Sequence, residues 1–161
     1  MTSAATTPGL RRSQVKAAIA ALRPQQWVKN LLIFAPIVLG HRYRDASLGG
    51  QASLGVFAFT ALPSATYIAN DITDRHADRL HPVKRFRPFA AGELTPAAGF
   101  WLIAPLLALA ALLSLPLPAP AAGTLLTYGI AVFLYSFRLK RIVFLDAVLL
   151  ALFYCLRILY G

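Results

Sequence analysis

Stretches of apolar residues recur along this chain, each ending in a cluster of charge, and nothing else restricts its possible folds so severely. Hydrocarbon offers no hydrogen bonds, so a segment that crosses it must satisfy its own backbone, and a helix needs about 20 apolar residues to do so. Five segments are candidates, at about 27–40, 48–69, 97–115, 119–137 and 142–160. The first is short for a span and must borrow residues from position 22 onward or sit inside a bundle. Residues 1–10 read as a cytoplasmic tail without the hydrophobic core of a signal peptide, and 11–22 (RRSQVKAAIAAL) as a basic helix on the membrane surface. The expected organisation is a tail with surface helix over 1–22 and a transmembrane domain over 23–161. The fold class is all-α, a polytopic membrane helical bundle.

Composition agrees. Hydrophobic residues make up 58% and charged residues 14%, whereas a soluble domain carries about 25% charged residues. The net charge of +10 comes without an aromatic-interleaved basic face, so no nucleic-acid partner is expected. The charge reads instead as topology. Arg11, Arg12, Lys16, Arg23 and Lys29 lie on one side of the membrane. Arg75, Arg79, Lys84, Arg85 and Arg87 return to that side after two crossings, and Arg138, Lys140 and Arg141 after four. The opposite loops hold Arg42 and Arg44, so the bias is thirteen against two. The N-terminus and the 70–88 segment are expected in the cytoplasm. Cys155, the single cysteine, lies in an apolar run and reads as a packing residue.

The segment NDITDRHADRLHPVKRFRP (70–88) holds three of the six acidic residues, Asp71, Asp74 and Asp78. If the second helix continued past Asn70, at about 100° per residue, all three would share its side over about 12 Å. Mg²⁺ is held by one or two carboxylates completed by water and phosphate oxygens, which suits such a row. Zinc would require His or Cys close by, and His76 and His81 read as loop residues. The blander reading is a charge-balanced loop in which Asp71 pairs with Arg75 at i,i+4. Next come Lys84, Arg85 and Arg87, with Pro82 and Pro88 barring a continuous helix. Such a loop can fold over a metal-bound polyphosphate and supply guanidinium forks.

N-D-x-x-D-x-x-x-D at the end of a second membrane helix resembles the first aspartate-rich motif of the UbiA superfamily of intramembrane prenyltransferases. RPQQWVKN (23–30), YSFRLKR (135–141) and LDAVLLALFYCLRILYG (145–161) fit the same pattern. The combination of QWVKN, NDITDRHADR and HPVKRFRPFAAGEL is similar to the decaprenyl-phosphate phosphoribosyltransferase branch. The resemblance implies Mg²⁺ as cofactor, phosphoribosyl pyrophosphate (PRPP) and a polyprenyl phosphate as substrates, and the bacterial inner membrane as location. It implies Asp71, Asp74 and Asp78 as the metal site, with Asp74 and Asp78 catalytic. Asn70, Lys84, Arg85, Arg87, Lys29 and Asn30 are then expected around the donor, with Tyr135, Ser136 and Lys140 as weaker matches. Asp146 and Arg157, charges inside the fifth span, read as a structural ion pair, or Arg157 as a snorkelling side chain.

Family members have nine or so helices and a second aspartate-rich motif. The chain therefore reads as the N-terminal half, whether a truncated form, a remnant, or one part of an assembly completed by a second chain. The product would supply arabinose donors for the cell envelope or for a secreted nodulation glycolipid. The alternatives are an aromatic prenyltransferase using a prenyl diphosphate and a non-catalytic remnant or subunit.

Overall fold

A computed structural model describes residues 8–137 and 143–161, with side chains placed over 14–136 and 147–161. Helix α1 (Pro8–Leu22) buries its small residues Ala17 and Ala21 against Ile68, Ile72, Phe89 and Leu94. The expected surface helix thus forms, three residues earlier than its basic pattern indicated. It ends at Arg23, whose φ of 54° lies in the left-handed region. Pro24 forces this ending, because the residue before a proline is disfavoured in the right-handed helical region. Left-handed backbone costs a non-glycine residue about 1–2 kcal/mol. The Arg23 side chain offsets it, donating from Nη2 to Asp71 at 2.7 Å and lying 4.7 Å from the Tyr67 ring centroid.

The chain then continues as a 3₁₀ helix, Pro24–Phe34, followed by α2, Ala35–Leu39. The segment expected to be short for a span thus begins at Pro24, and its 3₁₀ form shows how it gains reach. Eleven residues cover about 22 Å as 3₁₀ helix but only about 16 Å as α-helix. Helix α3 (Ala46–Thr73) returns over 28 residues, and Asp45 caps its start by accepting from the N–H groups of Ser47 and Leu48 at 3.1 and 3.2 Å. Pro63 inside α3 cannot donate to the Phe59 carbonyl, an orphan that hydrocarbon would penalise. Asn30 supplies the missing donor, its Nδ2 meeting Phe59 O at 3.1 Å and Thr60 Oγ1 at 2.8 Å.

Helix α3 passes Asn70 as supposed but ends at Asp74, and α4 (Arg75–Leu80) starts afresh. One unbroken helix carrying all three aspartates is therefore corrected. Asp competes with its own backbone for hydrogen bonds and is a poor helix-interior residue. A 3₁₀ turn (Lys84–Phe86) and α5 (Pro88–Ala91) follow, then α6 (Pro96–Ser114), α7 (Ala119–Phe137) and α8 (Val143–Tyr160).

Among the described residues three helices are long and apolar enough to cross a membrane: Ala46–Thr73, Pro96–Ser114 and Ala119–Ser136; Ala147–Tyr160 is a shorter apolar helix. The chain is an all-α bundle of membrane helices. Its α6 presents Trp101, Leu107 and Leu112 outward, as a lipid-facing helix does, and Cys155 is exposed rather than packed. The inner face joins α3, α7 and α8 through Phe59, Tyr128 and Phe153, with ring centroids 4.5 Å and 5.6 Å apart.

Two glycines set the approach of neighbouring helices. A Cβ on Gly99 would lie 2.5 Å from Ile72 Cδ1, and one on Gly55 would lie 2.1 Å from the Tyr160 ring. Overpacking of this kind costs about 1–3 kcal/mol. Gly55→Val is expected to lower stability by that amount in a detergent-solubilised thermal melt. Adding Tyr160→Ala, which makes room, is expected to recover part of the loss.

Candidate functional site

The C-terminal end of α3 gathers charge from four parts of the chain. Asp71, in the last turn of α3, is 2% exposed, and its Oδ1 accepts from Arg23 Nη2 at 2.7 Å and from Arg87 Nη1 at 3.2 Å. The same Arg87 Nη1 donates to Asp78 Oδ2 at 2.8 Å, and Asp78, on α4, is 3% exposed. One guanidinium thus bridges two buried carboxylates. Arg75, the i,i+4 partner of Asp71, instead donates to Ile72 O at 2.9 Å. The surrounding loop is pinned by Arg79, whose Nε donates to Ala90 O at 3.0 Å.

The remaining predicted residues take distinct positions. Asp74 forms the junction itself: its N–H donates to Asn70 O at 2.8 Å and its carbonyl accepts from Asp78 N–H at 2.9 Å. Asn70 Oδ1 is buried without a hydrogen-bond partner. Lys84 and Arg85 are exposed on the neighbouring turn, with Arg85 4.8 Å from the Phe86 ring. His76 is exposed, and His81 Nδ1 accepts from the N–H groups of Val83 and Lys84 at 3.2 and 3.3 Å, a turn-forming role. The side chains of Lys140 and Asp146 lie outside the described residues.

Among the described residues no three His, Cys, Asp or Glu side chains converge as a metal cage. Two carboxylates converge on Arg87, and the neighbouring residue in sequence, Asn70, holds a buried amide oxygen lacking a partner. That set does not suit zinc. It fits Mg²⁺ completed by phosphate oxygens, which needs only one or two carboxylates.

A separate cleft of about 70 Å³ opens between the 3₁₀ helix, α3, α7 and α8. Lys29, Asn30, Tyr135 and Ser136 line it, together with Tyr67, Tyr128, Tyr154 and Arg157, and none of the three aspartates does. Lys29 and Asn30 therefore face a different cavity from the one expected to hold the donor. Asn30 is 2% exposed and fully engaged, since its Oδ1 accepts from Arg157 Nε at 2.8 Å. Tyr135 stacks edge-on against Phe153 at 5.6 Å.

Sequence reasoning passed over Arg23 and Tyr67 as site residues. Both carried a signal: Arg23 precedes a proline at a membrane-helix mouth, and Tyr67 lies one helical turn before Asp71.

The profile of the UbiA prenyltransferase family matches residues 31–161. The chain belongs to the UbiA prenyltransferase family. It is 36% identical over 160 residues to a decaprenyl-phosphate phosphoribosyltransferase of Mycolicibacterium smegmatis, covering 96% of this chain and 50% of that protein. A protein of Azorhizobium caulinodans named nodulation protein NoeC is 33% identical over 141 residues, 88% of this chain and 46% of its own length. An uncharacterized protein, y4nM, of Sinorhizobium fredii is 40% identical over 147 residues, 91% of this chain and 28% of its own length. This UbiA-family chain spans half or less of the length of these relatives.

Either arginine alone still neutralises Asp71 in this UbiA-family chain, so their removal is expected to be non-additive. Arg23→Gln leaves Arg87 on Asp71, whereas Arg87→Gln leaves Arg23 on Asp71 but takes the Arg87 cation from buried Asp78 as well. Removing both strands a buried charge, which costs about 3–5 kcal/mol. A double-mutant cycle by thermal unfolding in detergent is expected to show the pair losing more than the two singles together.

Proposed function

We propose that this chain carries the donor site of a Mg²⁺-dependent transfer of a 5-phosphoribosyl group from PRPP to a polyprenyl phosphate. The observation that carries the reading is Arg87 shared between buried Asp71 and Asp78 at 3.2 and 2.8 Å. Relatives named decaprenyl-phosphate phosphoribosyltransferase at 36% and 38% identity support it. Asp78 and Asp71 would hold the cation, with Asp74 beside them and Asn70 Oδ1 as a further oxygen donor. When bound, Mg²⁺ supplies positive charge against the departing pyrophosphate.

The chain's own residues do the rest. Arg87 moves from the carboxylates onto a phosphate oxygen, an exchange between two anionic partners for one fork. Lys84 and Arg85, exposed on the adjacent turn, reach the same phosphates. The bond from the ribose anomeric carbon to pyrophosphate breaks, and its electron pair leaves with pyrophosphate. An oxygen of the lipid phosphate forms the new bond. That acceptor is already anionic, so alignment and charge stabilisation dominate over proton transfer.

The charge bias of thirteen against two supports an N-terminus and site on the cytoplasmic side, in what would be the bacterial inner membrane. The product would supply arabinose donors for envelope or secreted-glycolipid arabinosylation. The relative named as a nodulation protein supports the second setting.

Binding of PRPP to the detergent-solubilised chain is expected to require Mg²⁺, and Asp78→Asn to weaken it by at least about tenfold, as loss of a metal-site group does. Titration calorimetry with and without EDTA measures both. Equal PRPP affinity in EDTA, or preferential binding of a prenyl diphosphate at this site, would falsify the reading.

A further inference from the structure

Asp71 holds two cations on one oxygen. Its Oδ1 accepts from Arg23 Nη2 at 2.7 Å and from Arg87 Nη1 at 3.2 Å. Arg87 has a second carboxylate, Asp78, at 2.8 Å. Among the described residues Arg23 has no acid but Asp71. Two buried carboxylates are thus matched by two guanidiniums, and together they offer an incoming dication no excess negative charge. Mg²⁺ binds through carboxylate oxygens, so it meets both arginines as competitors for Asp71. Cations crowded on one buried acid raise each other's energy, and a guanidinium has to leave. Sharing Asp71 with a metal deprives Arg87 of one partner in two and Arg23 of its only one.

Arg23 is also where the backbone turns. Its φ of 54° and ψ of 61° lie in the left-handed region, which a non-glycine residue keeps only while its surroundings hold it there. Two contacts of its side chain do so: the Asp71 bond and the Tyr67 ring, whose centroid lies 4.7 Å from the guanidinium carbon. Helix α1 adds little, because it buries Ala17 and Ala21 while Val15 and Ile19 are 60% and 51% exposed. Pro24 favours extended backbone at the position before it, so the turn has a conformation to relax into. Trp27 rests on the same turn. Its Nε1 donates to Leu22 O, the carbonyl just before Arg23, and to Ser64 Oγ, both at 3.3 Å.

We propose that Arg23 is a latch that metal binding opens, a statement that rests on the carboxylate donor site described above. In the metal-free chain Arg23 stands in for cation charge at Asp71. When a dication takes that carboxylate, Arg23 leaves it, and the turn between α1 and the 3₁₀ helix relaxes toward extended backbone. Metal loading at the end of α3 is thereby coupled to the place where the chain enters the membrane. Release of Arg23 requires metal alone, whereas transfer of Arg87 onto phosphate requires the donor. Metal and Arg23 contend for one oxygen, so each weakens the other's hold by the same factor.

The test uses the full chain in detergent at constant ionic strength, without PRPP. Electron paramagnetic resonance follows binding of Mn²⁺, which shares the preference of Mg²⁺ for carboxylate oxygens. Arg23→Gln removes the competitor and is expected to tighten Mn²⁺ by at least about fivefold, the lower end of such couplings. A residue that merely held the fold together would weaken metal binding when lost. Arg23→Lys keeps a cation beside Asp71 and is expected to stay near the original affinity. The chain has two tryptophans, and Trp101 on α6 is 81% exposed, so Trp101→Phe leaves Trp27 as the reporter of the turn. Saturating Mg²⁺ is expected to shift Trp27 emission. Adding Arg23→Gln to that variant is expected to give the shifted emission at once, with no further response to Mg²⁺.

Unchanged or weaker Mn²⁺ binding in folded Arg23→Gln overturns the proposal, as does Trp27 emission that stays constant while Mg²⁺ displaces Mn²⁺ from the site. In both cases the measured metal binding leaves the donor site standing. If the unaltered chain binds no Mn²⁺, the carboxylate site and the latch fall together. If Arg23→Gln does not fold, the Trp27 response of the Trp101→Phe chain decides alone.

Discussion

Asp71 is the point on which the charged end of the bundle depends. A carboxylate that is 2% exposed at the end of a membrane helix is tolerable only if cations neutralise it, and two do so from distant parts of the chain. Arg23 reaches it from the turn that ends α1, and Arg87 from the loop after α4. The first contact helps offset a left-handed backbone and fixes where the chain enters the membrane. The second draws in Asp78 through the same nitrogen. Removing the carboxylate would leave three guanidinium and carboxylate groups without their organising partner, so one buried charge arranges both the entry turn and the basic loop.

The long helices were legible because their apolar runs match bilayer thickness, a coarse signal that single residues do not disturb. The first segment was legible only as an anomaly. Its length fell short, and the remedy, a 3₁₀ stretch, has no residue signature distinct from an α-helix start. The break at Asp74 was hidden for a related reason: neither glycine nor proline marks it, and the backbone bonds from Asp74 to Asn70 and from Asp78 to Asp74 persist through it. The basic loop was read as a partner for phosphate, and in the structure its Arg87 pairs with Asp71 and Asp78. Which of its cations turns inward was not readable, because Lys84, Arg85 and Arg87 differ only in the fold of the turn between Pro82 and Pro88.

Arg157 shows the limit more sharply. A helical wheel offered Asp146 as its partner, and that side chain lies outside the described residues. The described partners are Phe153 O on the same helix and Asn30 and Tyr128 on other segments, with Asn30 also capping the carbonyl that Pro63 orphans. Three residues separated by up to 127 positions are joined by the need to satisfy one backbone oxygen and one buried cation. No periodicity in the sequence encodes such a link.

Buried acid and buried cation are organised by the same helix. Asp71, at the end of α3, meets Arg23 and Arg87, whereas Arg157 meets Asn30 and Tyr128 beside the middle of that helix. Among the described residues no Asp or Glu lines the cleft that Arg157 shares with Lys29. Tyr67 belongs to both systems, with Arg23 over its ring and the cleft against it. The cations of the carboxylate end are spent on Asp71 and Asp78, so the Arg157 guanidinium is satisfied by neutral oxygens instead, and a buried charge that cannot find an opposite charge must be held by several dipoles at once.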